Sequence, residues 1–296
     1  MKGKVGFLGL GNMGFPMASN LLKSGFSVLG TDLNKDAENQ LKEIGGEIGF
    51  DATTLPNATN IIFTSLPTPQ IVENVYLSHD GLIANGHKDL ILVDLSTISP
   101  DLNRKIATAA SSKGMDYLGA PVSGSVSGAE AATLSIMVGG EKQTYDKALP
   151  YLKAIGKNIF HVGEDHGLGT IVKLINNLLV GIHTQAVAEA LTIADAANLD
   201  HDVVYDIVNV SSGQSSMFTR NYKNFIADNE YYEGAFTTAL LLKDMNLANH
   251  AAHSMDRQLP LGEFAIKYFE EHMAGYEDKD IASAYLMLAK QAVTEG

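Results

Sequence analysis

The chain has 296 residues, 45% of them hydrophobic, which gives room for two domains with separate cores. Its 21 Lys plus Arg against 34 Asp plus Glu give a formal charge of −13, and such an acidic surface speaks against a nucleic-acid partner. With no cysteine there is no disulfide framework, thiolate metal site or thiol nucleophile, and no metal is expected.

The first strand signal is Lys4–Leu10 (KVGFLGL), a short apolar run bounded by glycine. Glycines break it too early for a signal-peptide core, and no later run reads as a membrane span. A cytoplasmic protein without a membrane partner is expected. Gly9, Gly11 and Gly14 follow in G-x-G-x-x-G spacing. Met13–Lys23 has helical periodicity and Gly25 stops it. Phe26–Leu33 is a second strand carrying Asp32 near its end.

This order carries chemistry. Gly9 permits a tight turn, Gly11 lets backbone approach a pyrophosphate, and Gly14 lets the helix pack on the strand. The helix N-terminus then offers N–H groups and a positive dipole end to phosphate. Gly9, Leu10, Gly11, Asn12, Met13 and Gly14 are therefore candidate dinucleotide contacts. Asp32 can accept hydrogen bonds from both ribose hydroxyls and repels a 2′-phosphate, so NAD is expected, with NADP possible through Lys35.

Asn60–Leu66 and Leu90–Leu95 read as buried strands. The loops after them, around Leu66-Pro67 and Ser96-Thr97, are candidate walls of the cofactor site, or else ordinary Pro/Ser turns. Met115–Gly119, Leu134–Val138 and Ile159–Val162 complete the strand signals. Between them, Ala120–Gly128 (APVSGSVSG) reads as a Ser/Gly-rich loop whose Ser123 and Gly124 could hold a carboxylate.

After Gly163 the pattern becomes helical. Gly167–Asn198 reads as one long helix, followed by His201–Val210, Met217–Ala227, Leu240–Arg257, Leu261–Met273 and Ile281–Ala292. The fold expected is α/β: an N-terminal Rossmann-type doubly wound sheet (residues 1–164) joined by the long helix to an all-helical domain (165–296). Within GTIVKLINNLLVGI, apolar residues cover every helix face, so this helix belongs in an interior. Lys173 in that setting needs a partner or a use. Asn176 and Asn177 lie on its side at i+3 and i+4. A second pair, Lys243 and Asp244, follows three leucines.

Together these segments resemble the β-hydroxyacid dehydrogenase family over essentially the whole chain. GFLGLGNMGFPMASNLLKSG resembles its cofactor signature, DLSTISP its nicotinamide-side loop, APVSG its substrate motif, GTIVKLINNLL its catalytic motif and LLLKD its late cofactor-contacting lysine. The resemblance implies a homodimer or homotetramer that interconverts a small 3-hydroxy acid and its semialdehyde, of the 3-hydroxyisobutyrate dehydrogenase or 2-hydroxy-3-oxopropionate reductase type. It implies Lys173 as the general acid/base, Asn177 beside it, Ser123 and Gly124 as carboxylate binders, and Leu66, Pro67, Thr97 and Lys243 as cofactor contacts. Alternatives are an imine reductase on the same scaffold, against which Lys173 speaks, and a non-catalytic NAD-binding redox sensor. Three positions depart from the pattern: Gly119 replaces an Asp, Ser125 a Gly, and Gln214 an Arg. Gln214 removes a bidentate carboxylate binder, leaving a smaller or neutral second substrate group, or Arg220 as its substitute.

Overall fold

The computed structural model describes residues 2–231 and 236–294, so the outer limits of the expected domains, 1 and 296, lie outside the described residues. The chain divides into two compact units, Met1–Lys173 and Leu174–Gly296. The division falls inside the long helix, beyond the sequence-based boundary at 164.

In the first unit the elements run β1 (Lys2–Leu8), α1 (Gly14–Lys23), β2 (Phe26–Thr31), α2 (Lys35–Glu43), β3 (Ile61–Thr64), α3 (Pro69–Leu77), α4 (Leu82–Asn85), β4 (Ile91–Asp94) and α5 (Pro100–Ser111). They continue with β5 (Asp116–Gly119), β6 (Val122–Ser123), α6 (Ser125–Glu130), β7 (Leu134–Gly139), α7 (Lys142–Ile155), β8 (Gly156–Gly163) and α8 (Leu168–Ala196). The strands form one sheet in the order β2-β1-β3-β4-β5-β7-β6, with β8 paired to β7. The pairings from β2 across to β5 are all parallel. β7 runs antiparallel to β5 and β6, so the far edge is mixed.

Strand period decides the packing. Phe7, Phe63 and Val93 point to one face and pack with Met17 and Leu21 of α1. Their neighbours Leu8, Ile62 and Leu92 point to the other, against Val72 of α3 and Ile106 of α5. Helices on both faces explain why β3 and β4 are buried at every position. Each large side chain fully buried this way contributes roughly 1.5–3 kcal/mol. The stretch expected as a loop, Ala120–Gly128, instead holds β6 and the start of α6. Its small residues let the backbone pair with β7 at Ser123↔Ser135 and then turn at once into a helix.

The second unit contains the rest of α8, then α9 (His201–Asn209), α10 (Ser216–Asn221), α11 (Thr238–Ser254), α12 (Pro260–His272) and α13 (Ala284–Thr294). Met217–Ala227 is not one α-helix: after α10 the chain makes a π-helical turn, Tyr222–Ile226. The Arg220 guanidinium stacks on the Phe225 ring five residues later, at 4.4 Å, a spacing that suits a π turn.

Two expectations about α8 fail. Its apolar residues are not buried all round, because Val172, Ile175 and Leu179 stay exposed on one face. Local sequence cannot tell which face of an apolar helix the fold covers. By length and composition, α8 is also long and apolar enough to cross a membrane. It nonetheless buries Lys173, Asn177, Thr184 and Gln185, a polar series suited to a core helix.

Candidate active site

Four of the parallel strands end at one edge, and their loops carry the predicted cofactor residues. Gly9–Gly14 follow β1, Asp32 follows β2, Leu66 and Pro67 follow β3, and Thr97 follows β4. The glycine turn stands where the strand order reverses, since β1 lies between β2 and β3, and ligands of open parallel sheets bind at such a point.

The three glycines serve different ends. Gly9 has φ +97 and a Cβ there would strike the Ser65 carbonyl. A Cβ on Gly14 would strike the Gly9 carbonyl oxygen, so Gly14 allows α1 to close on the turn. A Cβ on Gly11 would meet no protein atom within 4 Å. Nothing internal requires glycine there, whereas a phosphate lying against the backbone would. No side chain caps the N-terminus of α1, so it presents its dipole and first-turn N–H groups in the manner of an anion site. These residues fit a dinucleotide.

Leu10 divides its two parts. Its side chain is in the core, while its N–H donates to Asp32 Oδ2 at 2.6 Å. The other Asp32 oxygen accepts from Asn34 N at 2.7 Å. The carboxylate is thereby fixed at the strand end. Asn12 is exposed and Met13 half-buried. Lys35 is engaged by Glu38, with Nζ 3.0 Å from Oε2. Glu38 is itself buried and accepts from Asp32 N at 3.2 Å. That pairing reduces the charge Lys35 offers to a 2′-phosphate.

The loops after β3 and β4 each lead into a helix. Thr68 and Ser99 cap α3 and α5 through their hydroxyls, and Pro69 and Pro100 occupy the first helical turn. The ordinary turn chemistry is therefore present in both loops, and it is compatible with their forming walls of a cofactor site. Ser123 is half-buried at the end of β6, and Gly124 turns the chain with φ +142. Ser125 has φ +59, the left-handed region that favours glycine. This explains why a second glycine belongs to the family pattern.

Lys173 is only 9% exposed. Asn177, one turn further along α8, is 1% exposed and donates from Nδ2 to Asp244 Oδ2 at 2.5 Å. A carboxylate only accepts, so this bond settles which end of the amide faces α11. Asn177 Oδ1 accepts from Asn176 Nδ2 at 2.9 Å. Lys243 Nζ stands 3.2 Å from Asp244 Oδ1, close enough for an ion pair but without an aligned hydrogen bond.

Arg220 does not stand in for the missing arginine at Gln214. Both of its terminal nitrogens bind the fully buried Asp280 at 2.5 Å, in a bidentate pair. Releasing it would leave a buried charge alone.

Two buried carboxylates stand in motifs that the sequence singles out without giving them a role of their own. Asp244 enters only as the neighbour of Lys243. Asp94 ends the aliphatic strand LILVDL and is 1% exposed. The signal that singled out Lys173, a charge inside an apolar run, was equally present there.

Residues 4–163 match the family model for the NAD binding domain of 6-phosphogluconate dehydrogenase. Residues 167–288 match that for NAD-binding of NADP-dependent 3-hydroxyisobutyrate dehydrogenase. The 3-hydroxyisobutyrate dehydrogenase of Pseudomonas aeruginosa is 39% identical, covering 94% of this chain and 96% of that protein. The 2-(hydroxymethyl)glutarate dehydrogenase of Eubacterium barkeri is 38% identical, covering 97% and 95%. The solved structure of Mycobacterium tuberculosis 3-hydroxyisobutyrate dehydrogenase with L-serine has a TM-score of 0.89 at 32% identity, covering 97% of this chain and 99% of that one. An imine reductase from Bacillus cereus shares the fold alone, with a TM-score of 0.64 at 19% identity.

Proposed function

The chain belongs to the β-hydroxyacid dehydrogenase family, and from that premise we propose how its residues divide the work of an NAD(P)-dependent hydroxyacid dehydrogenase. The bound nicotinamide supplies the chemistry of hydride acceptance or donation at the alcohol carbon. The chain's own residues bind, orient and move the proton.

Gly9–Gly14, Asp32, Leu66, Pro67 and Thr97 hold the dinucleotide at the strand ends. Ser123 Oγ and the Gly124 backbone N–H donate to the substrate carboxylate. In oxidation the hydroxyl proton passes to Lys173 Nζ. In reduction the Lys173 ammonium returns a proton to the developing alkoxide. Asn177, its amide set by Asp244, fixes the oxygen that exchanges this proton. The observation that carries the reading is the burial of Lys173 in an apolar helix one turn before an Asn held by a buried carboxylate.

The substrates named for the relatives point to a chemical class. 3-Hydroxyisobutyrate, 2-(hydroxymethyl)glutarate and L-serine, the last named for an NAD-dependent L-serine dehydrogenase of Pseudomonas aeruginosa, all have the form HOCH2–CH(R)–COO−, with R a methyl, a carboxyethyl or an amino group. We assign that class to this chain, with R small or neutral, because Gln214 carries no charge and Arg220 is committed to Asp280.

The test is a spectrophotometric assay with NAD and NADP against a panel differing only in R, alongside cyclic imines with NADH and NADPH. Oxidation of one or more hydroxymethyl acids, fastest with uncharged R, is expected. Imine reduction without any hydroxy-acid turnover would overturn the reading in favour of the imine reductase alternative.

A further inference from the structure

We propose that Asp94 is a positioning residue that ties the two cofactor-facing loops to each other, so that loss of its charge loosens the nicotinamide cofactor. This rests on the assignment of Leu66, Pro67 and Thr97 to that cofactor.

Asp94 is the last residue of β4 and pairs with Thr64, the last of β3. Its Oδ1 accepts two hydrogen bonds, from Thr64 Oγ1 at 2.7 Å and from Ser96 N at 3.1 Å. Ser96 Oγ in turn accepts from Leu66 N at 2.9 Å. The loop after β3 therefore hangs on Ser96, and Ser96 is anchored on Asp94. The Leu66 N–H matters because Pro67 and Pro69 have none to give, so this stretch has few backbone handles. Thr97 is the next residue after the anchored one.

The surroundings make the carboxylate costly. Asp94 is 1% exposed, and its Oδ2 has no aligned hydrogen bond, with only the Tyr117 hydroxyl, committed to Asn103, beside it. A buried charge so poorly partnered at one oxygen is not something a strand end needs for packing. The neighbouring polar groups are also ordered. Thr64 gives its hydrogen to Asp94, so the Tyr76 hydroxyl, 2.7 Å away, donates to Thr64. The Tyr117 hydroxyl donates to Asn103 Oδ1 at 2.8 Å, and Asn103 Nδ2 donates to Thr170 Oγ1 at 2.7 Å. Thr170 lies three residues before Lys173 on α8.

Burial pushes the Asp94 carboxyl up to about 6, against the hydrogen bonds from Ser96 and Thr64 and a weaker one from Tyr117. The titratable groups facing it are Tyr76 from α3 and Tyr117 from β5. Burial, then the Asp94 charge, raises both phenols well above their ordinary value, so neither changes charge between pH 5 and 8. Asn103 from α5 is neutral. A neutral carboxyl accepts more weakly than a carboxylate. Cofactor affinity therefore falls as pH drops through about 6.

The experiment titrates the full chain with NADH by fluorescence from pH 5.5 to 8, for the wild type and for Asp94→Asn, Thr64→Val and Thr64→Ser. Replacing a charge-assisted hydrogen bond by a neutral one corresponds to an increase in Kd of about tenfold. We expect that increase for Asp94→Asn at pH 7.5, with a curve flat in pH, and a KM for cofactor that rises more than kcat falls. Wild-type Kd should rise by about threefold on going to pH 5.5, where the Asp94 carboxyl is only partly protonated. Thr64→Val should follow Asp94→Asn, and Thr64→Ser should follow the wild type, which a general packing defect would not produce. An unchanged Kd and pH slope in Asp94→Asn overturns the proposal. Should that variant not fold, equal Kd values for Thr64→Val and Thr64→Ser overturn it instead. A wild type that binds neither NADH nor NADPH fails the cofactor assignment itself, and this inference with it.

Discussion

Two buried carboxylates sit beside the groups proposed to act in this chain, and they hold different things. Asp94, at the strand ends of the first unit, holds backbone: one oxygen takes a loop N–H and the hydroxyl of the neighbouring strand. Asp244, on α11 in the second unit, holds a side chain, the Asn177 amide. The contrast extends to their surroundings. In the proposed division of work, the strand-end region recognises through backbone shape, with glycines where a Cβ cannot fit and loops hydrogen-bonded to a buried carboxyl. Along α8 the atoms proposed to act are side-chain nitrogens and oxygens on a regular helix, where the backbone only spaces them. Damage to the first should therefore appear in cofactor affinity, and damage to the second in turnover.

The sharpest test of that division is Lys173→Ala. A missing general acid/base lowers kcat by about a thousandfold, while NADH affinity stays within about twofold to threefold of wild type. Steady-state kinetics with a parallel NADH titration reads both, and near-normal turnover would remove Lys173 from the mechanism.

The glycine turn offers an internal comparison. Gly14→Ala drives a methyl into the Gly9 carbonyl and should cost about 2–4 kcal/mol of stability, read as a lower urea midpoint. Gly11→Ala meets open space and should keep that midpoint while NADH Kd rises about tenfold. If both variants lost stability alike, Gly11 would be structural and not a contact for phosphate.

Asp94 should also be visible in stability. Its folded value is about 6, above the unfolded 3.8, so the folded state holds the proton more tightly. Stability from this group is present below about 3.8 and lost as pH rises through about 6. Relative to Asp94→Asn, the wild type should lose roughly 2–3 kcal/mol between pH 3.5 and pH 7.5. Urea unfolding of both proteins at the two pH values measures this, and a difference independent of pH would mean that Asp94 titrates normally.

Asp244→Ala leaves the Asn177 amide unpaired, a penalty of roughly 1–3 kcal/mol. If Asn177 is set by this bond, kcat should fall by about tenfold or more, and a wild-type kcat would show that the amide holds itself. The smallest effect expected is for Ser125→Gly. Relief of the left-handed backbone at Ser125 is partly offset by the entropy of glycine, leaving a gain of up to about 1 kcal/mol. Thermal unfolding would detect it, and a loss of stability would mean that the Ser125 hydroxyl bonds to Gly124 and Ser127 outweigh the strain.

Much of the first unit is legible in its residues because its demands are local. A tight turn onto a helix requires glycine at Gly9 and Gly14, and a strand covered on both faces requires an unbroken aliphatic run such as LILVDL. The helices of the second unit are legible by period, except that Met217–Ala227 breaks into α10 and a π turn. Periodicity registers that Arg220 and Phe225 lie in one helical stretch, but not that stacking them favours a wider turn.

By itself, the sequence determined the glycine turn, the alternating strands and helices of the first half and the misfit of Lys173 in an apolar helix. Each follows from a conformational or solvation rule acting over a few residues. The tertiary structure alone decided the partners. Asn177 meets Asp244 across 67 positions, Arg220 meets Asp280 across 60, and Thr64 meets Asp94 across 30. It also decided that one apolar face of α8, with Val172, Ile175 and Leu179, stays exposed. A hydrogen bond needs its donor and acceptor placed to within tenths of an ångström, and only the packing of whole elements sets distances that finely.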